Sequence, residues 1–131
     1  MKSRFTIGDK KVFTHKVGVD DLAIFDAGTV HSVCSTFALA KHIEWASRLF
    51  IIDIKGEDEE GIGTMIKIEH VSPAFVKQTL DFEATVASIS KNELICDVIV
   101  KYKSRIIAKA KTGQKLLKKE KLNKIFSSLA D

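Results

Sequence analysis

The segment Val30-His31-Ser32-Val33-Cys34-Ser35-Thr36-Phe37-Ala38-Leu39-Ala40-Lys41-His42-Ile43-Glu44-Trp45-Ala46-Ser47-Arg48-Leu49-Phe50 decides the fold. Wound at about 100° per residue, it carries an apolar side chain in nearly every direction around its axis. Val33, Cys34, Phe37, Leu39, Ile43, Trp45, Leu49 and Phe50 supply them. The long charged side chains Lys41 and Arg48 share one narrow stripe. A helix that is apolar almost all round lies deep inside a domain. The pattern predicts one long, largely buried helix from Val30 to Phe50. Gly28-Thr29 would cap its start, and Ile51-Ile52 followed by Gly56 would end it.

On either side of this helix the periodicity changes to two. Lys11 to Val19 reads as a first strand, closed by Asp20-Asp21. Beyond the acidic loop Gly56–Gly61, the residues Ile62, Thr64, Ile66 and Ile68 alternate with Gly63, Met65, Lys67 and Glu69, up to His70. Leu80, Phe82, Ala84 and Val86 form the next apolar face, and Leu94, Cys96, Val98, Val100 and Tyr102 the one after. A last strand is expected from about Ile106 to Leu117. Ser90-Lys91-Asn92 and Lys103-Ser104-Arg105 are turns, and Pro73 marks a strand end or an edge. Short turns favour antiparallel neighbours, so these four strands are expected as a meander. In the tail, Leu122, Ile125, Phe126 and Leu129 fall on one face of a short amphipathic helix. That helix would pack on the domain or on a partner. The expected class is α+β, an antiparallel sheet wrapped around one long central helix, with a short C-terminal helix.

Composition agrees with a folded chain. At 131 residues, 45% apolar and 29% charged, it is expected to form a single domain over residues 1–131. No apolar run is long enough for a transmembrane helix, so no membrane partner is expected. Met1-Lys2-Ser3-Arg4-Phe5 lacks the apolar core of a secretory signal, which predicts a cytoplasmic protein. Cys34 and Cys96 fall in apolar patterns and read as small buried hydrophobes. No Cys/His spacing suggests a metal, no glycine-rich loop suggests a phosphate, and no cofactor is implied. The net charge of +4 is concentrated near the C-terminus, in Lys109, Lys111, Lys115, Lys118, Lys119, Lys121 and Lys124. Without interleaved aromatics for base stacking this is a solvated charged face, or else a binding edge for a phosphate-bearing group, rather than a nucleic-acid surface.

Polar groups on a buried helix require partners. Thr36 and Glu44 are eight residues apart and lie about 80° from each other around the axis, with the small Ala40 between them. The two line one side of the helix, with room for a ligand over the alanine. Glu44 is either an ion-paired structural group or a functional one. His70, at a strand end, is either a surface histidine or a proton-transfer group suited to neutral pH. His31 and Ser35 fall on the side of the helix away from Thr36, with His42 nearer to them than to it. His15 lies on the first strand without a visible partner.

The stretch Thr36-Phe37-Ala38-Leu39-Ala40-Lys41-His42-Ile43-Glu44-Trp45-Ala46 resembles the helix of hotdog-fold thioesterases of the fluoroacetyl-coenzyme A thioesterase type, where a Thr precedes a Glu-Trp-Ala by eight residues. Gly61-Ile62-Gly63-Thr64-Met65-Ile66-Lys67-Ile68-Glu69-His70 resembles that family's Gly-Thr strand ending in His. The likeness runs from about Phe5 to Leu122 and is diffuse outside these blocks. It implies a hotdog fold and hydrolysis of an acyl-coenzyme A thioester. It further implies a catalytic set of Thr36, Glu44 and His70, a thioester contact from the Gly63 amide, and a homodimer or higher homo-oligomer with pockets near the interface. It leaves open which of Glu44 and His70 is nucleophile and which is base. Where the family's last strand carries a substrate-binding Arg, this chain has Gln114, followed by Lys115. The residues before Thr36 lack the aromatic lid linked to fluoroacetyl selectivity, so that substrate is not implied. A non-catalytic hotdog module binding an acyl or other apolar ligand is the alternative.

Overall fold

The computed structural model describes residues 4–25 and 28–130, with backbone alone at 25 and 28–30. Met1, Lys2 and Ser3, on which part of the leader reading rests, lie outside the described residues. The elements are β1 (Lys10–Lys16), a 3-10 turn (Val19–Asp21), β2 (Leu22–Phe25), β3 (Gly28–Cys34) and α1 (Thr36–Ile54). These are followed by β4 (Glu59–His70), β5 (Thr79–Ser90), β6 (Glu93–Tyr102), β7 (Arg105–Lys118) and α2 (Lys119–Leu129). Five strands form one antiparallel sheet in the order β1-β5-β6-β7-β4, β2 and β3 pair separately, and α1 lies against the larger sheet. This is the expected hotdog arrangement of α+β class.

The central helix starts six residues later than its apolar pattern predicts. Val30 to Cys34 belong to β3, where β-branched Val30 and Val33 suit the extended backbone. The Cys34 N–H donates to the Ala74 carbonyl at 2.8 Å, which ties down the strand end. Ser35, not Gly28-Thr29, is the cap: its Oγ accepts from the Ala38 N–H at 3.0 Å. At the other end the helix continues through Ile51 and Ile52 to Ile54. The small propensity loss at Ile51 is outweighed by burial, since only 1% of it is exposed.

Burial around α1 is also more one-sided than expected. Leu39, Ile43, Ala46, Phe50 and Ile51 are buried, and they meet Leu80, Phe82, Ala84, Val98 and Val100 of the sheet in one core. On the opposite side, Phe37 is 83% exposed, Trp45 43% and Ile52 40%. An apolar stripe of residues eight and seven apart, two helical turns each, therefore faces outward within a single chain.

The four later strands are not a continuous meander. Only β5, β6 and β7 follow one another, joined by the two-residue turns Lys91-Asn92 and Lys103-Ser104, with Lys91 and Lys103 in the left-handed region. β4 instead pairs with β7 at the far edge. The connection over residues 71–78 is too long for a hairpin, and it carries the chain across to β5. Arg105 clamps it through the Ser72 hydroxyl at 2.9 Å and the Pro73 carbonyl.

One irregularity in β4 decides what faces α1. Gly63 pairs with Gln114 but Met65 pairs with Gly113, so Thr64 is an extra residue, a β-bulge. Side chains alternate along a strand, so without the bulge Gly63 and His70 would lie on opposite faces. With it, Gly63, Ile66, Ile68 and His70 oppose Gln114, Thr112, Ala110 and Ala108. These β7 positions are the helix-facing ones, as the 2.7 Å bond from Thr112 Oγ1 to Ser47 Oγ on α1 shows. The simple alternation that grouped Ile62 with Ile66 and Ile68 therefore fails at Thr64.

Both cysteines are free and buried. Burial, the larger cause, and the Asp21 charge push the Cys34 thiol up to about 11. Burial does the same for Cys96, up to about 12. Thiolate is the reactive form, so neither cysteine should react with iodoacetamide in the native protein, while both should in denaturant. Mass spectrometry of the alkylated chain reads this directly, and rapid native labelling would contradict the packing described.

Candidate active site

Thr36 is the first residue of α1, set by the Ser35 cap, and His70 is the last residue of β4. Their side chains meet, Thr36 Oγ1 lying 3.0 Å from His70 Nδ1. His70 Nε2 is buried and has no hydrogen-bond partner among the described residues. An orphaned buried nitrogen costs about 1–3 kcal/mol, so its retention points to a group that some other molecule satisfies. Thr36 also lines an open cleft of about 770 Å³, with Leu22, Ala23, Ile24 and Phe37 among its apolar walls. That volume lies within the range of small-molecule sites.

Glu44 lies two turns along the helix, about 12 Å from Thr36 by helical rise. Its carboxylate sits over Gly63, where a Cβ would lie only 3.2 Å from Glu44 Oε1. Gly61, two residues earlier on the same face, meets Ile51, and a Cβ there would fall 2.7 Å from Ile51 Cγ2. The two glycines let β4 approach α1 closely at points seven residues apart on the helix. Arg48 Nη2 lies 3.8 Å from Glu44 Oε1, and Arg48 Nη1 donates to the Gly61 carbonyl at 3.3 Å. Arg48, read in the sequence only as part of a wet stripe, thus steers Glu44. The Glu-to-Arg spacing of four residues was the available signal.

Among the described residues, Glu44 is not hydrogen-bonded to Thr36 or His70. Two groupings result, Thr36 with His70 and Glu44 with Gly63 and Arg48. Gln114 is 1% exposed and lies beneath the second of them. Its Nε2 donates to the Glu44 carbonyl at 3.1 Å, and its Oε1 is buried without a partner among the described residues.

A third cluster was not visible in the sequence. His15 Nε2 lies 2.7 Å from Asp21 Oδ2, and His42 Nε2 lies 3.5 Å from Asp21 Oδ1. The two rings stack with centroids 3.8 Å apart. His15 therefore has partners, which its isolated place on β1 did not suggest. Burial followed by the adjacent His15 charge holds His42 below the usual histidine range. Burial pushes the Asp21 carboxyl up, but hydrogen bonds from the Gly18 N–H and the histidines outweigh it and leave Asp21 low.

A family model described as "FlK: Fluoroacetyl-CoA-specific thioesterase" matches residues 17–120. The chain belongs to this family. Its members' hotdog scaffold is also what the solved structures share with it. A hypothetical protein of Thermus thermophilus, described as a thioesterase superfamily member, is 27% identical with a TM-score of 0.91, over 98% of this chain and 95% of that one. A hot-dog-like protein of Thermanaerovibrio acidaminovorans is 16% identical with a TM-score of 0.87, over 98% and 96% of the two chains. The fluoroacetyl-CoA thioesterase FlK itself is 16% identical with a TM-score of 0.87, over 97% and 98%. Among curated proteins no match was found. Family membership and fold thus place the chain with the hotdog-fold thioesterases. Among the described residues no helix is long and apolar enough to cross a membrane.

Proposed function

We propose that the chain hydrolyses an acyl-coenzyme A thioester to the free acid and coenzyme A, using Thr36, Glu44 and His70. The observation that carries this reading is the Thr36–His70 pair, with its unsatisfied Nε2, beside an apolar cleft. A histidine held at Nδ1 by a hydroxyl presents Nε2 for proton transfer. Either His70 or Glu44 activates the attack on the thioester carbonyl, by water in a general-base route or by the carboxylate in a covalent one. Attack places negative charge on the carbonyl oxygen, and the Gly63 amide is the proposed donor to it. Gly63 and His70 stand about 20 Å apart along β4, so one carbonyl would meet both groupings only where two copies of the chain bring them together. Collapse of the tetrahedral species breaks the C–S bond, and the departing thiolate takes up a proton. In the general-base route this gives the free acid directly; in the covalent route a water then hydrolyses the acyl–Glu44 anhydride to release it.

Gln114 supports the substrate side of this site. It holds the Glu44 carbonyl, and its Oε1, without a partner among the described residues, remains to accept from a bound group. The neighbouring Lys115 is exposed and offers a positive charge to coenzyme A phosphates. Dimerisation belongs to the same proposal. A second copy seated on the stripe of Phe37, Trp45 and Ile52 would remove from water an apolar surface that a lone chain leaves open. It would also close the cleft over Thr36.

Free-thiol release over a panel of short and long acyl-coenzyme A substrates tests the proposal. Saturable turnover of at least one member is expected. Absence of turnover with every thioester, together with saturable binding of an acyl ligand, would instead establish a non-catalytic acyl-binding module.

A further inference from the structure

We propose that His15, Asp21 and His42 form a binding site for a divalent transition-metal cation of the zinc class. Two imidazole nitrogens and a carboxylate are donors that suit zinc, cobalt or nickel, and they match calcium or magnesium poorly. The three residues come from β1, the 3-10 turn and α1, and their ligating atoms all lie within 4.8 Å of one another. Tetrahedral zinc with bonds of about 2.0–2.1 Å needs ligand atoms about 3.4 Å apart. The His42–Asp21 separation of 3.5 Å already meets this.

The His15–Asp21 pair, at 2.7 Å, has to open by roughly 0.7 Å to reach that spacing. The His15 side chain stands on an edge strand and is 26% exposed, so its ring can swing outward. The same movement unstacks it from His42. Asp21 is meanwhile held in place by the Gly18 N–H, which donates to its Oδ2 at 2.9 Å. Outer hydrogen bonds of this kind orient metal-binding carboxylates. Among the described residues no Lys or Arg pairs with Asp21, so no resident cation neutralises it.

The ion would act as a clamp. Asp21 also accepts the Ser35 N–H through its backbone carbonyl at 2.7 Å, directly before Thr36. Its neighbours Asp20 and Leu22 line the cleft. A cation at this point would join β1 and the turn to α1 and stiffen one wall of that cleft.

The test uses the full chain, stripped with a chelator and titrated with Zn2+ by calorimetry and with Co2+ by visible absorption. One ion per chain, a tetrahedral Co2+ spectrum and a raised Tm with Zn2+ are expected. Affinity should fall at least about tenfold in His15→Gln and in His42→Gln, and stay unchanged in His31→Gln, an exposed histidine on β3 outside the cluster. If His42→Gln fails to fold, His15→Gln alone decides, because it removes only a partly exposed edge-strand side chain. The proposal is overturned if no saturable binding occurs at one ion per chain. It is equally overturned if binding survives His15→Gln, or if His31→Gln weakens it to the same degree; the cluster is then only a proton-sharing histidine–carboxylate group.

Discussion

His70→Ala is expected to lower kcat for thioester hydrolysis by about a hundredfold or more, the usual contribution of a positioned acid–base group. KM should change little, since the proposed mechanism has the ring act on the reacting atoms rather than on the bulk of the ligand. Stability should fall by no more than about 1 kcal/mol, because the substitution removes one hydrogen bond, to Thr36 Oγ1, together with a buried Nε2 that has no partner among the described residues. Glu44→Ala is expected to cause a comparable fall for a different reason. It removes the carboxylate over Gly63 and leaves Arg48 to its bond with the Gly61 carbonyl. Steady-state kinetics with the best acyl-coenzyme A substrate, beside circular dichroism of each variant, gives the answer. Undiminished activity in both variants would remove these residues from the catalytic set, even if thioester hydrolysis itself is confirmed.

Phe82→Ala should be the most damaging single change to the core, costing about 3–5 kcal/mol. Phe82 is fully buried on β5 and packs against Phe13 at 5.9 Å and His42 at 5.8 Å between ring centroids. Truncation loses the transfer free energy of a large ring and leaves a cavity lined from the sheet and from α1. Neither is free to close over it, because β5 is held between β1 and β6. Urea unfolding should show the midpoint fall with an unchanged slope. A loss below about 1 kcal/mol would mean that the surrounding side chains collapse into the space.

The existence of the central helix was legible because Leu39, Ile43, Ala46 and Phe50 repeat at helical spacing. Its start was not, because Val30 to Cys34 are apolar in a way that serves strand and helix alike. Ser35 held the local cue, a hydroxyl one residue before the helix begins. The β5–β6–β7 hairpins were legible from alternation and short turns. The place of β4 was not, since alternation records which face a residue takes and says nothing about its neighbour in the sheet.

At the candidate site, the pairing of Thr36 with His70 depends on a strand and a helix whose ends meet only in the fold. Spacing alone could not show it; the family resemblance pointed to both residues together. The His15–Asp21–His42 cluster had no such guide, because its members come from three separate elements and fit no ligand signature.

The extra residue at Thr64 gives β4 two phases, one running up to Gly63 and another from Met65 onward. A gapless alignment to a relative without that residue would match inward positions to outward ones for half the strand. Conservation scored in that way would make His70 look like an exposed, variable position. For sequence comparison, and for any redesign of the pocket, Thr64 is where the count must restart.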